Sequence, residues 1–89
     1  GAGFVPASDA RKKELGVSSG VVVTEVHQGG WFDYQGIRRG QVITHINDTP
    51  VNSVDDVERA LGKSQRGMIK VTIVPQRGAI STISGPIDF

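Results

Sequence analysis

The sequence contains no cysteine, which excludes disulfides, thiolate metal sites and cysteine nucleophiles together and leaves the redox compartment open. Nor is there an apolar run near the about 20 residues that a membrane-crossing helix needs, so membrane insertion is not expected. The first residues lack the charged start and apolar stretch of a signal peptide. The chain opens without Met inside what reads as ordered sequence, so it is read as an excised fragment whose parent would carry any targeting signal elsewhere. Charge of one sign is missing as well: 10 Lys and Arg stand against 9 Asp and Glu. The basic residues are interspersed with acidic ones, and Arg11-Lys12-Lys13 is followed at once by Glu14, as on a solvated helix face. Nucleic acid is therefore not an expected partner, because phosphate binding needs clustered cations.

What is present suits one small domain. Eighty-nine residues have room for a single core that buries about 60–65% of the unfolded chain's surface, and 12 Gly with 4 Pro promise many turns. Gly1-Ala2-Gly3-Phe4-Val5-Pro6 is a glycine-rich loop running into a short strand. Ser8 and Asp9 can cap a helix to about Leu15, which Gly16 ends. The β-branched run Val21 to His27 predicts a strand closed by Gln28-Gly29-Gly30. Trp31 to Ile37 sets aromatics beside a glycine that can end a single helical turn and seal one end of the core. Gln41 to Ile46 predicts a mostly buried strand, stopped by the turn Asn47-Asp48-Thr49-Pro50. Ser53 with Asp56 forms an acidic capping box, and Val54, Val57 and Leu61 recur at helical spacing before Gly62. Met68 to Val74 and Ala79 to Ile83 predict two last strands joined through Gln76-Arg77-Gly78. The sum is a short mixed sheet with two helices, without internal repeats.

Several patterns invite a chemical reading and fail on context. Gly16-Val17-Ser18-Ser19-Gly20 matches the spacing of a hydrolase nucleophile elbow, but that elbow needs a strand before the Ser and a helix after it, and the order here is reversed. His27 and His45 fall on different strands without the ligand spacing of a zinc site. Gly1-Ala2-Gly3 opens like a dinucleotide fingerprint, yet no strand precedes it and Pro6 sits where the third glycine belongs. No catalytic residue, metal or cofactor is expected. The remaining features combine differently. A strand with one free edge, lying beside a helix with an apolar face, makes a groove to which an extended peptide can add as a further strand. Uncovered amides in a glycine-rich turn can then hold a terminal carboxylate.

Gly20-Val21-Val22-Val23-Thr24-Glu25-Val26, Gly36-Ile37-Arg38-Arg39-Gly40-Gln41-Val42-Ile43-Thr44-His45-Ile46-Asn47, Pro50-Val51 and the helix from Val54 resemble the PDZ domains of bacterial HtrA-type (DegP/DegQ-like) periplasmic serine proteases. The resemblance spans nearly the whole chain, and the Gly-Ile-Arg-x-Gly to Ile-Asn run is its specific part. It departs from the family pattern at Gln41, where Asp is common, and at Gly29-Gly30-Trp31-Phe32, which replaces Gly-Ser-Pro-Ala. It implies an α+β fold, a partly open β-barrel or sandwich of five to six short strands with two helices in the bacterial, circularly permuted order. Gly1-Ala2-Gly3-Phe4 looks like the carboxylate loop, with Gly3 and Phe4 offering amides. Phe4 and Val5 would begin the ligand-pairing strand, and Ala2, Phe4, Val57 and Leu61 would line the pocket for the last ligand side chain. Val54 would face the residue two before the terminus and prefer it apolar; Glu58 completes the peptide-binding set. Trp31 and Phe32 are read either as core or as an added contact surface.

The partners this resemblance implies are peptides or protein C-termini with apolar ends, and the parent's own protease domain. The chain's end, Ile87-Asp88-Phe89, has the apolar-x-apolar-carboxylate form such a groove accepts, which makes self-binding through a neighbour's tail a further candidate. The implied function is substrate or misfolded-protein capture by an envelope serine protease whose triad lies in another domain, placed in the periplasm or cell envelope. Two alternatives stay open: another parent, such as a site-2 or C-terminal-processing protease or a secretion component, and a docking domain that holds a sister domain and takes no free peptide.

Overall fold

The computed structural model describes residues 2–62, 68–74 and 80–86. In chain order the elements are β1 (Ala2–Pro6), α1 (Asp9–Leu15), β2 (Val21–Val26), α2 (Trp31–Tyr34), β3 (Val42–Ile46), β4 (Thr49–Pro50), α3 (Val54–Gly62), β5 (Met68–Val74) and β6 (Ser81–Pro86). The sheet runs β1-β2-β3-β5-β6, with β4 paired to β3. Every pairing is antiparallel, which corrects the expected mixed sheet. Hydrophobic periodicity marks which face of a strand is buried and carries no signal for the direction of its neighbour. The third helix, α2, is the single turn expected between Trp31 and Gly36.

Local signals account for most boundaries. Ser8 is extended at φ −66°, ψ 156°, and its Oγ accepts the Arg11 N–H at 3.0 Å; Gly16 ends α1 in the left-handed region at φ 71°. Asn47 and Asp48 both have positive φ, 52° and 66°, the geometry of a two-residue hairpin turn. The expected stop after β3 is therefore a reversal, with Ile46 opposite Thr49 and His45 opposite Pro50. Asn47 Oδ1 accepts the Lys70 N–H at 2.9 Å and ties this turn to β5. At the start of α3, Ser53 Oγ accepts the Asp56 N–H at 3.2 Å and the Asp56 carboxylate accepts the Asn52 N–H at 2.8 Å, a capping box reaching one residue further back than usual. Strand β6 begins at Ser81 and continues to Pro86, later and longer than the expected Ala79 to Ile83. The expected turn at Gln76-Arg77-Gly78 lies outside the described residues.

Two apolar clusters form on opposite sides of the strands. The larger joins Val21, Val23, Phe32, Ile37, Ile43, Ile46, Val51, Val57, Ala60, Ile69, Val71 and Ile73. The smaller joins Ala7, Val42 and Val74 under Leu15, Val17 and Val22, so α1 roofs it. Phe32 seals one end of the larger core as expected, while Tyr34 on the same turn stays in solvent.

Candidate functional site

Among the described residues, strand β1 pairs with β2 on one side and with no strand on the other, and α3 packs against it. The direction in which its backbone groups point follows from β2. Val23 donates its N–H to Gln41 O at 2.9 Å and its carbonyl accepts the Gly40 N–H at 2.8 Å. Both of its groups therefore point away from β1, and by alternation those of Val22 point toward it, at Val5. Ala7 likewise donates to Gly20 O at 3.0 Å. Val5 and Ala7 thus spend their backbone groups on β2, and the groups of Phe4 and Pro6 face the free edge.

The register of β1 on β2 shifts between Gly3 and Phe4, so Thr24 is an extra residue opposite them, a β-bulge. Close approach there explains Gly3: a Cβ at this position would lie 2.7 Å from Thr24 Oγ1 and 2.9 Å from Glu25 Cγ. Ala2 and Phe4 are half-buried on the rim of the larger core together with Val26, Trp31 and Leu61. The Phe4 ring meets Phe32 edge-on at 5.5 Å, and Phe32 meets Trp31 edge-on at 5.1 Å, a geometry aromatic pairs favour. On α3, Val54, Glu58 and Leu61 stand at i, i+4 and i+7 on one face. Val54 is 39% exposed and Glu58 is exposed.

The structure thus sets β1, with Ala2, Gly3 and Phe4, against α3, which carries Val54, Glu58 and Leu61. Val5, 46% exposed, lies on the adjoining outer face of the strand, opposite the partly buried Val22. Val57 is placed differently from the pocket lining expected of it: at 1% exposure it belongs to the core under α3. Val26 and Trp31 join the rim although sequence reasoning did not assign them there. The signal for Val26 was its place in β2 opposite Ala2; Trp31 carried only its aromatic character, and it is half-buried, between the two readings offered for it. Gly1 and the tail Ile87-Asp88-Phe89 lie outside the described residues.

A family model described as "PDZ domain" matches residues 1–79. The chain belongs to the PDZ family. Among solved structures, the HtrA3 PDZ domain bound to the phage-derived ligand FGRWV matches with a TM-score of 0.71 at 20% identity, over 96% of this chain and 86% of that one. None of the curated proteins matches. A PDZ domain is a non-catalytic module. Ser19 is buried and donates its hydroxyl to Thr44 O at 2.9 Å, while Ser18 lies exposed in the bend before β2. His27 meets Glu25 at 3.0 Å and His45 meets Thr44 Oγ1 at 2.9 Å. Among the described residues no cluster of His and carboxylates has the makings of a metal site.

Proposed function

We propose that this PDZ domain binds the apolar C-termini of other proteins by strand addition along β1, and that it serves as the substrate-recognition module of an HtrA-type serine protease of the bacterial envelope. The observation that carries the reading is the free edge of β1 lying beside α3. There the N–H and C=O of Phe4 are directed outward next to a glycine-rich segment, and the facing helix offers Val54 and Leu61. Strand addition supplies main-chain hydrogen bonds without regard to sequence, and the apolar rim of Ala2, Phe4, Val26 and Leu61 supplies the preference for an apolar end. The exposed Glu58 adds a preference for a basic ligand residue upstream of the terminus. The relation to HtrA3, whose PDZ domain was solved with a peptide ending in Val, supports the choice of ligand class and of parent. Capture of damaged or misfolded substrates would be the service this module renders to the protease.

The test is a fluorescence titration of the domain with peptides ending in Val, Ile, Leu or Phe. Saturable binding in the micromolar range, about −8 kcal/mol, that Val54→Asp and Leu61→Asp each weaken at least tenfold supports the reading. Absence of binding to every peptide, with a sister domain of the parent binding instead, would replace it with the docking role.

A further inference from the structure

The free edge of β1 contains a residue that cannot complete the ladder expected of it. On the Pro6 side of the bulge, Phe4 and Pro6 are the residues of β1 whose backbone groups face outward, as the partners of Val23 and Ala7 establish. Phe4 offers an N–H and a C=O. Pro6 offers only its C=O, because its ring nitrogen carries no hydrogen. The next residue of the same parity is Ser8, and its carbonyl is already taken by the Lys12 N–H at 2.9 Å while its Oγ is taken by Arg11 at 3.0 Å. From Phe4 onward the usable edge therefore consists of one donor and two acceptors.

We infer that Pro6 is a specificity-determining residue of the groove: it cuts the main-chain ladder to three bonds and leaves one ligand carbonyl, that of the third residue from the C-terminus, without a protein partner. This inference rests on the strand-addition reading above. A ligand whose carboxylate sits at the glycine-rich start of β1 runs antiparallel to the strand. Its last residue is then opposite Phe4, with an oxygen accepting the Phe4 N–H and its own N–H donating to Phe4 C=O. Two residues earlier the chain is opposite Pro6 and donates its N–H to Pro6 C=O. Its carbonyl faces the pyrrolidine ring and keeps its hydrogen bond to water.

Two consequences follow from this geometry. Recognition weight moves from the ladder to the carboxylate and the last side chain, so the groove selects chain ends and grips internal extended segments poorly. An edge carrying a proline is also a poor template for a long foreign strand, which protects the open side of β1 from edge-to-edge pairing with other chains.

The experiment measures anisotropy with a labelled hexapeptide ending in Val and with its ester analogue, in which the amide joining the third-last and second-last residues is replaced. The replacement weakens the carbonyl opposite Pro6 as an acceptor, and the N–H it removes points away from β1. Wild type should bind peptide and ester within about twofold of each other. Pro6→Ala and Pro6→Val, which restore the donor, should bind the peptide about fivefold tighter and lose about that factor on the ester, the worth of one net hydrogen bond. Variants that bind with wild-type affinity, while Val54→Asp still abolishes binding, would overturn the role of Pro6 and leave the groove standing. An ester penalty of fivefold or more on wild type would also overturn it, independently of any variant. Failure of every peptide to bind every protein would remove the strand-addition reading and this inference with it.

Discussion

Val54 and Val57 stand three residues apart on α3 and share one chemistry, yet one is 39% exposed, on the face proposed to meet the peptide, and the other 1% exposed in the core. Truncating Val57 to Ala leaves a void among close-packed neighbours and should cost about 2 kcal/mol, read as a lower urea midpoint at unchanged slope. Val54→Ala should cost under about 0.5 kcal/mol of stability while weakening peptide binding several-fold; equal losses of stability at the two sites would refute this division. Ser19→Ala is expected to destabilise by about 1 kcal/mol, the net worth of the hydrogen bond its hydroxyl donates to the Thr44 carbonyl at 2.9 Å, a carbonyl that keeps the Val51 N–H at 3.1 Å as its other donor. The sequence pattern groups Val54, Val57 and Leu61 as one stripe, and a stripe of that width does not reveal which of its edges meets the sheet and which meets solvent. That division depends on where β1 and β3 lie, which is tertiary information. Ser19 carried no local signal, since a serine that donates to a carbonyl 25 residues away looks like any serine in a turn.

The elements with local chemistry were the ones readable in advance. Ser8, Gly16 and the Ser53/Asp56 pair mark helix ends through bonds within four residues, so α1 and α3 were legible from the chain alone. Ser53→Ala removes the acceptor for the Asp56 N–H and should cost about 1 kcal/mol. Because Val54 is the next residue, peptide affinity should fall in parallel, and a chemical-shift change confined to the first turn of α3 would mark the cause. The β3–β4 turn was legible as a turn but not as a hairpin, because Asn-Asp lacks the glycine that usually announces two positive φ values. At Asp48, φ is 66°, a region where a Cβ costs about 1 kcal/mol. Asp48→Gly should therefore raise stability by about 0.5 kcal/mol despite losing the exposed ion pair to Lys70 at 2.7 Å, which is worth little in solvent. A lower thermal midpoint for this variant would show that the ion pair outweighs the backbone term. Strand directions were not legible, since periodicity reports which face is buried and is silent on which neighbour a strand takes.

At the scale of the whole molecule, the two apolar clusters are not independent units, because they are carried by the same strands. Val21 and Val23 of β2 point into the larger cluster and Val22 into the smaller; Ile43 and Val42 of β3 divide in the same way, as do Ile73 and Val74 of β5. Loss of either layer therefore exposes the backs of strands that hold the other, and the domain should unfold in one step. Trp31, the single Trp, sits on the rim of the larger cluster beside Phe32, whereas Leu15, the last residue of α1, packs on the smaller cluster across the sheet. Leu15→Ala, a partly buried truncation in the smaller cluster, should cost about 1–2 kcal/mol and lower the midpoint by about 4–8 °C per kcal/mol in a domain of this size. The decisive expectation is that Trp31 fluorescence and far-UV circular dichroism shift together in that variant, by the same amount and with the same slope, although the mutation and the fluorophore share no cluster. A fluorescence transition that stays at the wild-type midpoint while the dichroism moves would show that α1 and its cluster melt separately. The groove would then be built on the larger cluster alone, and peptide binding should survive the loss of α1. A common transition would instead couple every core residue on either face to the shape of the β1 edge.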